Sequence, residues 1–313
     1  MIPYFAVYLA EEQDIHYRIS LARQLKKIGL KSLGAQFLFI DLSEMQSFDV
    51  LCERALQFKR EFEQIFDDVY YSVHAPFKPY SDASIMSNTM VSSVKLISDN
   101  FPVKLQCLNI HLSHPSSADW KVLQIDYRKK LQHVKYVTDV LNHMQAKTII
   151  SVENPCGITP EPDHVTYLGN LPGDFEKILG CVRNIGFTLD ICHSGLVSAA
   201  CKSIVDAGSC KEFPGFFDEE ISEIRNMADV KDLAFLSVAD KLTYIHLSDF
   251  KGLKHGVLPG KGDRTKEYIM DVLARILARA RPDVGVLVEV EEEDYSKSSN
   301  TFEALKMLIE WGL

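Results

Sequence analysis

Eight apolar runs, each followed by a stretch with helical spacing, constrain this chain more than any other feature. The runs are PYFAVYLA (3–10), SLGAQFLF (32–39), DVYYSVHA (68–75), CLNIHL (107–112), KTIISVEN (147–154), NIGFTLDI (184–191), LTYIHLSD (242–249) and VGVLVEV (284–290). They are apolar nearly throughout, the pattern of strands buried on both faces. Tyr127, Leu131, Val134 and Leu141 mark the apolar face of a helix over 122–144, and Ile15, Ile19, Ala22 and Leu25 mark another. A last helix over 300–311 takes Ser298, Ser299 or Asn300 as its cap and stops before Gly312. Eight alternations in 313 residues indicate one closed (β/α)8 TIM barrel, a fold of roughly 250 residues or more. A doubly wound open sheet is the competitor, but it would carry a glycine-rich phosphate loop after its first strand. The segment YLAEEQDIH has no glycine.

The chain reads as a single domain over 1–313 with one oversized connection. Residues 194–241, between strands six and seven, exceed what a crossover helix needs and are expected to form an enlarged loop or lid over the carboxyl-terminal face. A hydrophobic content of 46% with 25% charged residues describes a globular chain with a full core. The apolar start MIPYFAVYLA is short, lacks a basic lead and runs into Glu11 and Glu12, so it reads as a strand and not a signal peptide. No run is long enough to span a bilayer. Seven scattered cysteines without a Cys-x-x-Cys pair suggest a cytoplasmic setting. A net charge of −9 argues against a broad basic surface for nucleic acid.

The chemistry lies where the strands end, since catalytic groups of such barrels sit at the carboxyl ends of the strands. Strand three ends at His74, strand four at His111 and strand five at Glu153. Strand six supplies Asp190 and then His193 in IGFTLDICHSG. Strand seven supplies His246 and Asp249, its following loop His255, and strand eight Glu289. A single histidine at a strand end is more often a hydrogen-bonded core residue, and a lone Glu in LVEVEEE suits a solvated acidic rim. Six consecutive strand ends are another matter, because buried carboxylates close together are prohibitively costly unless cations neutralise them. Imidazoles and carboxylates converging on one point are the donor set of zinc, manganese or a similar divalent ion. Asp190 is accordingly read as a ligand and not as a helix cap. Glu291 is a fallback ligand, and His114 a candidate partner behind His111.

The motifs HAPF, IHLSHP, VENPCG, LDICHSG, HLSDFKG, PGKGD and VEV, in this order, resemble the xylose-isomerase-like TIM barrels. These include the endonuclease IV branch (AP endonuclease family 2) and sugar isomerases and epimerases. The resemblance runs from about residue 3 to 311. It implies a shared metal site of Glu153, Asp190, His246 and Glu289. The endonuclease branch implies a second metal on His74, His111 and Glu153, and a third on His193, His255 and an Asp. Leu253 stands at that Asp position, with Asp249 as a conceivable substitute. One to three divalent ions per chain are thus expected, zinc before manganese.

Two reactions follow from the resemblance. In the first, two metals about 3.5–4 Å apart, bridged by Glu153, support in-line hydrolysis of a phosphate ester, damaged DNA among the substrates. His74 and His111 favour it. The loop FLFIDLSEMQS, with Phe37 and Phe39 but no Lys or Arg, speaks against DNA, as does Phe77 after HAP. Lys78, Lys251, Lys254, Lys261 and Arg264 are the basic residues expected near the mouth. In the second, one metal polarises a small sugar or keto acid, and Glu153 and Glu289 act as the acid/base pair of an isomerase or epimerase. A non-catalytic, metal-stabilised binding barrel is a third class, disfavoured because so many ionisable groups meet at one rim. The hydrolase is preferred, with Glu153 and Glu289 as its catalytic residues. No membrane contact is expected.

Overall fold

The computed structural model describes residues 1–76, 88–112, 117–144, 146–156 and 165–312. Its strands are β1 (Ile2–Tyr8), β2 (Ser32–Leu38), β3 (Asp68–His74), β4 (Cys107–Ile110), β5 (Ile149–Glu153), β6 (Ile185–Asp190), β7 (Leu242–Leu247), β8 (Asp249–Lys251), β9 (Lys254–Val257) and β10 (Gly285–Val288). Eight of them close a barrel in the order β1-β10-β7-β6-β5-β4-β3-β2, parallel at every pairing. The remaining two, β8 and β9, form an antiparallel hairpin just after β7. Each barrel strand coincides with one of the apolar runs, trimmed by one to three residues in all, except that β1 also begins one residue earlier, at Ile2.

Helices α1 (Glu12–Lys27), α2 (Phe48–Phe62), α3 (Asn88–Asn100), α4 (Ser117–Leu123), α5 (Tyr127–Met144), α6 (Pro172–Cys181), α7 (Ile191–Ala207), α8 (Ile221–Val230), α9 (Lys266–Leu277) and α10 (Ser299–Glu310) fill the connections. The main core lies between strands and helices, where Phe5, Phe37, Phe58 and Phe62 interlock edge to face. The lumen has its own small cluster of Ile2, Tyr4, Cys107, Tyr244 and Leu287. Gly34 and Gly285 belong to this lumen, because a Cβ there would overlap the rings of Tyr4 and Tyr244. The aromatic plug closes the barrel below, so the polar strand ends can gather only above it.

Three local expectations need correction. The helix foreseen over 122–144 is two, α4 and α5, broken where Gln124 takes φ 46°. On α5, Leu131 is 38% exposed, whereas Lys130 is wholly buried between Asp174 of α6 and Glu220. A charged pair of partners on the neighbouring elements outweighed the apolar spacing. On α10, Ser298 adopts φ 50° and makes no capping bond from its side chain. Glu292 accepts instead from the N–H groups of Asn300 and Thr301 at 2.9 and 2.7 Å. The negative charge suits the positive end of the helix.

The long connection after β6 comprises α7, a 3-10 turn at Asp218–Glu220, α8 and a 3-10 run at Lys231–Lys241. Here α8 packs on α7, and the 3-10 run packs on α6, α7 and α9. Among the described residues, no helix is long and apolar enough to cross a membrane.

Candidate metal centre

The period of two along a strand sends alternate side chains inward, and the barrel register brings their ends level. Asp190 pairs with His246 across β6 and β7, and Glu153 pairs with Thr188 across β5 and β6. His74 closes β3, His111 follows β4, and Glu289 follows β10 with its N–H bonded to Leu247 O. Two groups of donor atoms result: His74, His111 and Glu153; and Glu153, Asp190, His246 and Glu289. Within each group the donor atoms lie within 4.8 Å of one another.

Glu153 belongs to both groups and divides its oxygens between them. Its Oε2 lies 3.5 Å from His74 Nε2 and 3.6 Å from His111 Nε2. Its Oε1 lies 3.3 Å from His246 Nδ1 and 3.5 Å from His193 Nδ1. His246 Nδ1 is in turn 2.9 Å from Glu289 Oε2 and 3.9 Å from Asp190 Oδ2.

Tautomers are set by the neighbouring backbone. His74 Nδ1 is 2.8 Å from Ala75 O, so it carries the proton and Nε2 turns toward Glu153. His246 differs. Among the described residues both its ring nitrogens are buried and make no well-aligned hydrogen bond, although carboxylate oxygens crowd around Nδ1. The oxygens are near enough but not in line with an N–H. A buried imidazole in that state calls for a partner other than a hydrogen bond, and a cation among the same oxygens would supply it. The donor sets, two imidazoles with one carboxylate and one imidazole with three carboxylates, fit divalent ions of the zinc or manganese kind.

The electrostatics agree. Burial alone would raise Glu153, but the imidazoles around it, His246 above all, hold it well below the carboxylate range. Burial raises Asp190 to about 6, with Glu153 and Glu289 adding to the effect and His193 opposing it. Burial would lower His246, yet Glu153 and Glu289 push it well above an ordinary histidine. Partial desolvation would raise Glu289, whose side chain is 49% exposed, but His246 outweighs this and holds it at about 2. Burial depresses His111 to about 4, keeping it neutral. Three carboxylates thus share one corner with His246 and His193, both raised by those carboxylates.

Asp190 is both cap and candidate ligand, which corrects the either-or expectation. Its Oδ1 accepts from His193 N–H at 2.6 Å as the N-cap of α7, and Oδ2 is left to face His246. His193 stands beside both groups but in neither; its Nδ1 donates to Asn154 O at 2.9 Å. His255 is exposed on β9, its ring 6.5 Å from that of His193. Leu253 is 58% exposed at the hairpin tip. Asp249, the conceivable substitute, is wholly buried and accepts from Phe250 N and Gly262 N at 2.8 and 2.9 Å. The described residues do not bring the third ligand set together.

The basic residues also fall out differently. Arg264 is buried, bonding Asp232 at 2.8 Å and the Ile191 carbonyl at 2.5 Å. Lys254 pairs with Glu291 at 2.8 Å, which also occupies the fallback ligand. Lys251 and Lys261 are exposed on the hairpin and the following loop. Phe37 and Phe39 are fully buried in the main core. Phe77, Lys78 and His114 lie outside the described residues.

Two residues escaped the sequence reading. Asn109, inward on β4, donates to Glu153 Oε2, and Asn154 holds the backbone of Asp190. Each is two residues or fewer from a predicted ligand, which was the available signal.

No family model and no curated protein sequence matches the chain. Solved structures do. A xylose isomerase domain protein from Planctomyces limnophilus is 15% identical, with 99% of this chain and 95% of that one aligned at a TM-score of 0.56. The chain has the fold of the xylose-isomerase-like TIM barrels. A D-allulose 3-epimerase from Methylomonas sp., in complex with D-allulose, is 11% identical over 98% of this chain and 96% of that one, at a TM-score of 0.55. An AP endonuclease of family 2 from Brucella melitensis is 13% identical over 97% and 99%, at 0.50. At these identities the likeness concerns the xylose-isomerase-like fold, and the donor groups stand on this chain's own geometry.

Proposed function

We propose that the protein is a divalent-metal-dependent hydrolase of phosphate esters. The carrying observation is the divided carboxylate of Glu153, with one oxygen toward His74 and His111 and the other toward His246. A one-metal isomerase would need only Glu153, Asp190, His246 and Glu289. Cations bound at both groups, zinc before manganese, would supply Lewis acidity and neutralise the charge that develops in an in-line displacement.

The protein's own groups do the rest. Glu153 keeps the two positions adjacent, and Asn109 orients the oxygen that faces the histidine pair. Glu289, half exposed, meets what enters the mouth and can move a proton there. His193, with Nδ1 held by Asn154, has Nε2 left to meet substrate. Lys251 and Lys261 are exposed cations able to meet a phosphate. The cysteine pattern suits a cytoplasmic setting.

The second reading is a sugar isomerase or epimerase with Glu153 and Glu289 as its acid/base pair. The burial of Arg264, Phe37 and Phe39 favours it, since this leaves fewer cationic and aromatic groups for a nucleic-acid duplex. Both chemistries occur among proteins of this fold, one solved relative being an AP endonuclease by name and another an epimerase.

The test is elemental analysis of gently purified protein, followed by assays with bis(p-nitrophenyl) phosphate, a duplex with an abasic site, and ketohexoses. Two cations per chain with diester cleavage would support the hydrolase. One cation with ketose turnover and no ester cleavage would overturn it.

A further inference from the structure

We propose that Asn154 is a positioning residue, setting the place of Asp190 relative to Glu153 by substituting its side-chain amide for a rung of the barrel. This rests on the metal-centre reading above.

The backbone ladder between β5 and β6 runs from Ile150 with Ile185 to Glu153 with Thr188, and the Asn154 N–H adds a last bond to Thr188 O at 3.3 Å. Asp190 stands beyond the end of this ladder, at the turn from strand to helix, and its main-chain groups need partners there. The Asn154 side chain provides both. Its Oδ1 accepts from Asp190 N–H at 2.7 Å and its Nδ2 donates to Asp190 O at 3.1 Å. A carboxamide carries the same donor and acceptor pair as a peptide group, so one side chain satisfies both atoms.

Asn154 reaches further through its own carbonyl, which accepts from His193 Nδ1. One wholly buried residue therefore joins Glu153, its neighbour in sequence, to Asp190 and His193, while belonging to neither donor group. Precision matters at Asp190 because its Oδ1 is committed to capping α7. Only Oδ2 faces the centre, so a backbone shift cannot be absorbed by turning the carboxylate. Asn109 anchors the other side, on Glu153 Oε2.

The experiment compares wild type with Asn154→Asp, which keeps shape but opposes a carboxylate to the Asp190 carbonyl. Asn154→Ser serves as the second variant should the first fail to fold. Cobalt(II) and zinc affinities of the full chain are measured by competition with a chromophoric chelator, alongside the visible cobalt spectrum and thermal unfolding of the metal-free protein. His74→Ala marks the opposite group. Loss of a partner behind a metal ligand weakens binding about 10–100-fold. The expected result is a loss of that size at one cation with an altered cobalt spectrum, the cation lost in His74→Ala being retained. If wild type binds a single cation that the Asn154 variants weaken, positioning stands and the two-cation reading falls. Unchanged affinities and spectrum, with only a lower melting temperature, would overturn the proposal by showing Asn154 to be purely structural. A wild-type chain that binds no divalent cation would sink the metal-centre reading, and this inference with it.

Discussion

Glu153 is the residue on which both donor groups depend, because each uses a different oxygen of the same carboxylate. Glu153→Ala should abolish retention of every cation through gel filtration, whereas His74→Ala should remove one and keep the other. Elemental analysis of both variants checks this, and a Glu153→Ala chain that keeps both ions would refute the shared carboxylate. The pH dependence has a definite sign. Asp190 is raised to about 6 and His246 well above the ordinary value, so both hold protons to higher pH than usual. A cation must displace those protons, so affinity should rise steadily from pH 6 to pH 8 and binding should release protons. Calorimetric titration in buffers of different ionisation enthalpy reads the release directly; enthalpies indifferent to buffer would contradict it.

At the scale of elements, charge partners decide placements that apolar spacing misjudged. Lys130 lies 2.9 Å from Asp174 and 2.5 Å from Glu220, tying the segment after α7 to α5 and α6. Two carboxylates facing one ammonium leave an excess negative charge. Burial accordingly raises Glu220 to about 7, with Lys130 opposing and Asp174 adding. A carboxyl whose folded value lies above its unfolded one contributes stability that is full below about 4.5 and lost as pH rises through 7. Glu220→Gln should therefore flatten the fall in melting temperature between pH 5 and pH 8. Thermal melts of both proteins across that range measure it, and identical slopes would show that Glu220 does not titrate there. Arg264 plays a similar structural part, clamping Asp232, the Ile191 carbonyl and the rings of Phe250 and Tyr268 around the start of α7.

For the whole molecule, the barrel holds three carboxylates and several imidazoles at one rim above an apolar plug. The charge crowding is tolerable in a folded chain if a ligand of opposite sign binds it, and such binding stabilises the fold by mass action. A hundredfold excess of zinc over its dissociation constant should add about 2.7 kcal/mol, a rise on the order of 5 °C in melting temperature. A chelator should reverse it. A melting temperature indifferent to both would argue that the rim groups bind no cation in the native state.

The order of elements and the residues at the strand ends were legible in the sequence because both follow from short-range periodicity. A parallel strand buried on both faces must be apolar, so it announces itself, and polar residues at its end stand out. For that reason His74, His111, Glu153, Asp190, His246 and Glu289 could be named and are found together. Tertiary structure alone decided which neighbours those side chains share. Asp190 proved to be cap and candidate ligand at once, Asp249 was consumed by Phe250 and Gly262, and Arg264 turned inward to Asp232. Glu292 became a helix cap, and Asn154 a substitute for a missing rung. Such outcomes depend on distances between atoms far apart in the chain, and polar groups pair with whatever partner the closed barrel brings within reach.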